Sequence, residues 1–278
     1  MPHSFDAIRT MPPSAARDAI RAGHWARHTA GLAAGYLQAN VVIVGENDAL
    51  DFLRFCQRNA RACPLVGVTE TGDPCLRTLG SNIDLRTDLP SYNIYEDGRL
   101  ARQAEHIEDL WTEHMVGFAL GCSFTFEGAL LQAGIPVRHI EENRTVPMYL
   151  TNRPLVPAGP FKGELVVSMR PILEDRVEEV TDICRRYPLA HGAPIHVGDP
   201  AALGIENLAY PDWGQPSSIR AGEVPVFWAC GVTPQRALAG AGLPLAITHT
   251  PGHMLITDVP EDAEDPVLKP DETSTSGN

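Results

Sequence analysis

Short apolar runs closed by glycine or a polar turn set the frame of this chain. Val41-Val42-Ile43-Val44 stops at Gly45, and Cys63-Pro64-Leu65-Val66-Gly67-Val68 forms a second such run. Between them, Leu50, Phe52, Leu53 and Phe55 recur on neighbouring turns, which predicts a helix over 48–59. Strand, helix and strand together predict one α/β unit. Ser14 opens an amphipathic helix over 14–21, and the proline-bearing segment before it reads as a poorly ordered entry. Residues 107–120 predict an acidic amphipathic helix, and its apolar run, 115–120, reads as a strand or a buried helix end that stops at Gly121-Cys122-Ser123 before a further helix over 126–132.

The pattern then becomes extended. Segments 137–140, 146–150 and 163–169 read as strands, and Pro147, Pro154, Pro157 and Pro160 place some of them at edges or in loops. A charged helix over 174–186 carries Val177, Val180 and Ile183 as its apolar stripe. Short strands return at 195–197, 224–230 and 245–248. This order predicts an α/β protein: a larger three-layer α/β domain, 1–135 and 191–278, with a small two-layer α+β subdomain inserted at 136–190. Residues 69–98 are rich in turn formers, so Arg86, Thr87, Asp88, Tyr92 and Tyr95 read as local turn bonding rather than a pocket.

Charge narrows the partners. A formal net charge of −13 disfavours nucleic acid and anionic membranes, both of which need a basic patch. No window reaches the ~18 to 20 apolar residues of a membrane helix, and the N-terminus lacks the order of a secretory signal. Cysteines 56, 63, 75, 122, 184 and 230 form no CxxC pair, which predicts reduced thiols, no disulfide and no zinc ribbon. The expectation is a cytoplasmic enzyme acting on a small carboxylate, with a homo-oligomer left open. The acidic segment 261–272 and the Ser/Thr end after it read as a solvated, disordered tail.

Candidate chemistry collects at two strand-turn-helix starts. The first holds Ser123 or Thr125 as helix cap beside Glu127, and the second holds Thr233 before Pro234. In α/β sheets ligands gather beyond strand ends, so the two turns are expected to approach a common cleft. Glu127, Asn143, Arg144 and Arg170 supply the charged and amide groups. His191 and His196 flank one loop, and His249 and His253 flank Thr250-Pro251-Gly252. Proline and glycine inside the second pair argue against helical metal ligands of the HExxH kind, so no metal site is assigned. No GxGxxG or Walker string calls for a nucleotide cofactor.

The strings GCSFTFEGALLQAGIPVRHIEENRTVPMYLTNRPLVPAGPF, VVSMRP, AHGAPIHVGDP, EVPVFWACGVTPQRAL and ITHTPGHM resemble the D-glutamate cyclase family, catalogued as hydro-lyases. Upstream, GYLQANVVIV, DFLRFCQRN, CPLVGVTETGDP and DLRTDLPSYNIYEDG extend the resemblance. It implies conversion of D-glutamate to 5-oxo-D-proline with loss of water, without a cofactor. For that reaction Glu127 is the expected general base or acid. Ser123, Thr125, Asn143 and Thr233 are expected at the substrate, Arg144 and Arg170 as a clamp on its α-carboxylate, and His249 and His253 as carriers of the second proton. Two other readings stand beside it: a different hydro-lyase acting on a hydroxy acid with a metal held by the histidines, and a non-catalytic carboxylate-binding protein.

Overall fold

The computed structural model describes residues 3–142 and 144–263. Asn143 and the tail from 264 onward lie outside the described residues, so the substrate role expected for Asn143 and most of the expected acidic tail do too. In chain order the elements are α1 (Phe5–Ile8), α2 (Pro13–Arg21), β1 (Tyr36–Gly45), α3 (Glu46–Arg58), β2 (Leu65–Val68), β3 (Tyr92–Glu96), β4 (Arg99–Ala104) and β5 (Met115–Gly121). Then come α4 (Phe124–Gln132), α5 (Arg138–Glu141), β6 (Met148–Pro154), β7 (Glu164–Leu173), α6 (Val177–Arg185) and β8 (His196–Val197). The chain continues through β9 (Glu223–Ala229), α7 (Val232–Ala241), β10 (Leu245–His249) and β11 (Leu255–Pro260).

The result is a mixed α/β protein with two antiparallel sheets. One runs β2-β5-β1-β10-β3-β4, with β11 also on β1, and the other runs β6-β7-β9-β8. The α/β unit predicted at the start exists as β1, α3 and β2, but β5 lies between the two strands and pairs antiparallel with both. The apolar run in β1 has a different cause from a parallel sheet. One face of β1 meets α3 and α7 through Val42 and Val44, and the other meets Leu76, Leu79, Ile83, Leu85 and Leu89 of the turn-rich segment. A strand covered on both faces reads as continuously hydrophobic whichever way its neighbours run.

The two sheets repeat one plan. Ala39 of β1 faces Gly121 of β5, and Val167 of β7 faces Ala229 of β9. The shift in numbering that carries Ala39 onto Val167 also carries Phe52 onto Val180 and Cys56 onto Cys184, with α3 and α6 in equivalent places. Cys122-Ser123-Phe124-Thr125-Phe126-Glu127-Gly128-Ala129-Leu130 likewise aligns without a gap on Cys230-Gly231-Val232-Thr233-Pro234-Gln235-Arg236-Ala237-Leu238. Both helices then stop at a left-handed glycine, Gly134 at φ 69° and Gly242 at φ 65°.

Each half gives its last helix and strand to the other. α4 packs Phe126 and Leu130 against Ile172 and Trp228 of the second sheet and Val180 of α6, while α7 packs Ala237 and Leu238 against Val42 and Phe118 of the first and Phe52 of α3. β6 then pairs with β7, and β11 with β1. Thr151 on β6 and Thr257 on β11 donate equivalent hydrogen bonds, each 2.7 Å, to Leu165 O and Leu37 O.

Three predicted elements differ. Residues 115–121 form a strand, one of the two forms that the pattern left open, so no helix runs from 107 to 120; all seven are buried between β1 and β2. Residues 138–141 form the single helical turn α5 instead of a strand: Arg138 and His139 are both buried, each against acids, so no alternation survives. The second sheet draws strands from 148 to 229, so a unit bounded at 136–190 contains β6 and β7 but not β8 and β9.

The exchange forces close approaches. A methyl group on Gly121 would overlap the Leu189 carbonyl oxygen, and one on Gly231 would meet the Asn40 side chain. Gly121→Ala is expected to cost about 1–3 kcal/mol, a fall of roughly 3 to 10 °C in thermal unfolding followed by circular dichroism. Gly240, inside α7 with no neighbour within 4 Å of an added methyl, is the contrasting site. There alanine is expected to add about 0.5–1 kcal/mol. An unchanged midpoint in Gly121→Ala would show that the 188–190 turn yields freely.

Candidate active site

The pleat of β7 puts Ser168, Arg170 and Ile172 on one face, the face that α4 and α6 cover. Arg170 is 1% exposed, and its guanidinium lies 5.1 Å from the Phe126 ring centre and 5.2 Å from that of Trp228. Such flanking favours a cation over aromatic faces. Nε donates to Glu127 Oε1 at 3.1 Å, and Nη2 donates to the same oxygen and to Ser123 Oγ at 3.2 Å. Nη1 donates to Ser168 Oγ at 3.1 Å. Of the five N–H bonds of a guanidinium, one Nη1 hydrogen remains without a hydrogen-bond partner among the described residues.

Glu127 comes from the first turns of α4, and His139 on α5 brings Nε2 to 3.2 Å from the same Oε1. Burial pushes the Glu127 carboxyl upward, but the charge of Arg170 and the nearness of His139 outweigh it and hold it at about 2. Glu127 is therefore ionised at neutral pH and weakly basic. Its strength is as a fixed negative charge that orients Arg170.

Ser123 stands at the cap position of α4, yet its hydroxyl serves Arg170, and α4 carries no side-chain cap. Its first-turn N–H groups and the positive end of its dipole are thus free of a side-chain oxygen. Thr125 Oγ1 is buried without a hydrogen-bond partner among the described residues. Trp228 Nε1 is likewise buried without a hydrogen-bond partner among the described residues, with the Cys184 sulfur, a weak acceptor, beside it. Burial pushes Cys122 up to about 12 and Cys230 up to about 11, so neither is a thiolate nucleophile.

The two strand-turn-helix starts lie side by side through Asn40. Its Nδ2 donates to Gly121 O at 2.9 Å and Leu120 O at 3.3 Å, and Gly231 lies against its amide. Thr233, however, turns to β7, where its Oγ1 accepts from Val166 N at 3.1 Å and donates to Val166 O at 3.2 Å. It is the second residue of α7 rather than its cap.

No hydrogen bond or ion pair joins Arg144, His249 or His253 to the Arg170 group among the described residues. Arg144 is partly exposed and donates to Pro216 O at 2.9 Å. His249 is buried beside Gln235, whose Nε2 lies 3.1 Å from its Nε2, and burial pushes its pKa down to about 4. His253 is partly exposed on the loop between β10 and β11, with Nδ1 3.1 Å from Pro251 O.

The internal repeat isolates the charged group. Glu127, Ser123 and Arg170 correspond to Gln235, Gly231 and Val42, so only one copy carries the ions. Asn40, His139 and Ser168 escaped the sequence reading, and His191 was seen there only as one end of a histidine-flanked loop. Aligning the chain on itself would have exposed the Glu127–Gln235 difference, but nothing comparable marks His139, which the pattern placed in a strand.

The open groove lined by Asp175, Glu178, Glu179, Asp182 and Arg186 lies on α6 and the turn before it, and its carboxylates suit no dianionic substrate. No helix among the described residues is long and apolar enough to cross a membrane. All six cysteines are free thiols, five of them buried.

Comparison with known proteins covers nearly the whole chain. A protein of Dinoroseobacter shibae named "Putative hydro-lyase" is 59% identical over 98% of this chain and 91% of its own length. Similarly named proteins of Jannaschia sp. and Ruegeria pomeroyi are 60% and 57% identical, over 94% and 95% of this chain and 98% and 96% of theirs. The family model for D-glutamate cyclase matches residues 116–258, the span that holds Ser123, Glu127, His139, Arg170 and Trp228. The chain belongs to the D-glutamate cyclase family.

Proposed function

We propose that this member of a hydro-lyase family closes D-glutamate to 5-oxo-D-proline and releases water. The observation that carries the reading is the buried Arg170–Glu127–His139 group beside the uncapped start of α4, inside the span matched by the family. The α-ammonium must lose a proton, its nitrogen must attack the γ-carboxyl carbon, and one carboxyl oxygen must leave as water. Folding the substrate so that nitrogen and carbon meet supplies most of the gain, ~7 to 11 kcal/mol in favourable intramolecular systems.

The reading gives the residues these roles. The remaining Nη1 hydrogen of Arg170 takes a substrate carboxylate oxygen, and Glu127 keeps the guanidinium charged and aligned. Thr125 Oγ1 offers a second polar contact. The Ser123 hydroxyl and the first-turn N–H groups of α4 stabilise the tetrahedral oxyanion. The free thiols fit a reducing compartment, and we assign the activity to the cytoplasm.

Proton NMR of the protein with D-glutamate, L-glutamate and 5-oxo-D-proline, before and after chelation, tests the reading. The expected result is interconversion of the D-compounds alone, unaffected by chelator. Ser123→Ala is then expected to lower kcat about 100-fold, the loss of one oxyanion donor. Silence in every sample would direct attention to another acid substrate or to binding without turnover.

A further inference from the structure

His191 is buried, 1% exposed, and has no part in the arrangement above. It follows the single 3-10 turn Pro188–Ala190 and adopts φ 74°, ψ −7°, a left-handed conformation that costs a residue with a β-carbon energy. That turn presses on the site: the Leu189 carbonyl occupies the space where a side chain at Gly121 would be, two residues before Ser123.

The ring has one determined end and one open end. His191 Nδ1 lies 2.8 Å from the Arg61 carbonyl oxygen. A carbonyl only accepts, so Nδ1 carries the hydrogen, and in the neutral ring Nε2 then presents a lone pair. Nε2 is buried and has no hydrogen-bond partner among the described residues. Burial pushes the His191 pKa down to about 4, with the Arg61 carbonyl opposing and the charges of Arg170 and Arg61 adding to the fall. The ring is thus neutral at physiological pH. A merely structural histidine gains nothing from a buried acceptor without a donor, which costs about 1–3 kcal/mol.

We propose that His191 Nε2 is the base that takes a proton from the substrate ammonium and returns it to the departing γ-carboxyl oxygen. The assignment rests on the cyclase reading. An N–H bond breaks as Nε2–H forms; the freed amine forms the N–C bond to the γ-carbon; a C–O bond then breaks. The nitrogen loses two protons in all, and both leave in the water, so no co-reactant is needed. The nearby Arg170 charge disfavours a lasting imidazolium and drives the proton onward.

His191→Asn separates this role from packing. Asparagine tolerates the left-handed backbone and its amide can donate to Arg61 O, but it has no acceptor in the place of Nε2. With wild-type turnover of D-glutamate established by proton NMR, the variant is expected to lose roughly 10²- to 10⁴-fold in kcat. Its KM is expected to change by less than about threefold. Nitrogen-15 spectra of the wild-type ring are expected to show a protonated Nδ1 and a bare Nε2. Wild-type kcat in His191→Asn, or the opposite tautomer, would overturn the assignment while leaving the cyclase reading standing. Absence of D-glutamate turnover in the wild type would overturn that reading and this assignment with it.

Discussion

Arg170→Ala is expected to lower the thermal unfolding midpoint by about 6 to 15 °C, as well as to abolish turnover. The substitution leaves Glu127 as a buried carboxylate with only His139 for company, and breaking a buried pair in this way costs about 3–5 kcal/mol. It also removes the cation held between Phe126 and Trp228. The double variant Arg170→Met with Glu127→Leu removes both charges and is expected to recover most of the lost midpoint, because a well-packed apolar pair often equals a buried ion pair in stability. It should remain inactive. Recovery of folding without recovery of turnover would place the ion pair in function rather than in stability. A single Arg170→Ala variant that melts with the wild type would refute the argument.

Acidification is expected to weaken the fold well before ordinary carboxylates titrate. His191 and His249 each drop from 6.5 to about 4 on folding, chiefly through burial. A depressed histidine pKa means that the unfolded chain binds more protons between those values, so stability falls as pH falls. Each ring contributes on the order of 3 kcal/mol that is fully present above pH ~6.5 and gone near pH ~4. Glu127 adds a later stage, since its contribution is present above about 4.5 and lost as pH drops toward about 2. Urea unfolding at pH 7.5, 5.5 and 4.5 should therefore show a steep loss across the first interval and more across the second. His249→Gln should flatten part of the slope. Constant stability from pH 7.5 to 4.5 would mean that neither ring is held neutral by burial.

The sequence made the local elements legible where one driving force dominated. The β-branched run of β1 and the apolar stripes of α3 and α6 were visible because burial alone explains them. Strand direction was not, since it depends on β5 entering between β1 and β2 from much later in the chain. In the site, Ser123, Glu127 and Arg170 stood out as polar groups in apolar surroundings, and the structure joins them. The loop pair His249 and His253 attracted attention through its spacing, yet its contacts are with Gln235, Val41 and Pro251. His139 and His191 owe their places to α5 and to a left-handed turn, which period and propensity do not reveal.

The reciprocal gift of a helix and strand has a consequence for biosynthesis. As the nascent chain leaves the ribosome, β1 and α3 emerge early, but the face bearing Val42, Phe52 and Phe118 stays uncovered until α7 arrives. One edge of β1 stays open until β10 and β11 follow. The first sheet cannot close until β10 and β11 have emerged, whereas all four strands of the second are complete by Ala229. Until then the first half exposes a bare strand edge and an apolar surface, the state that chaperones recognise.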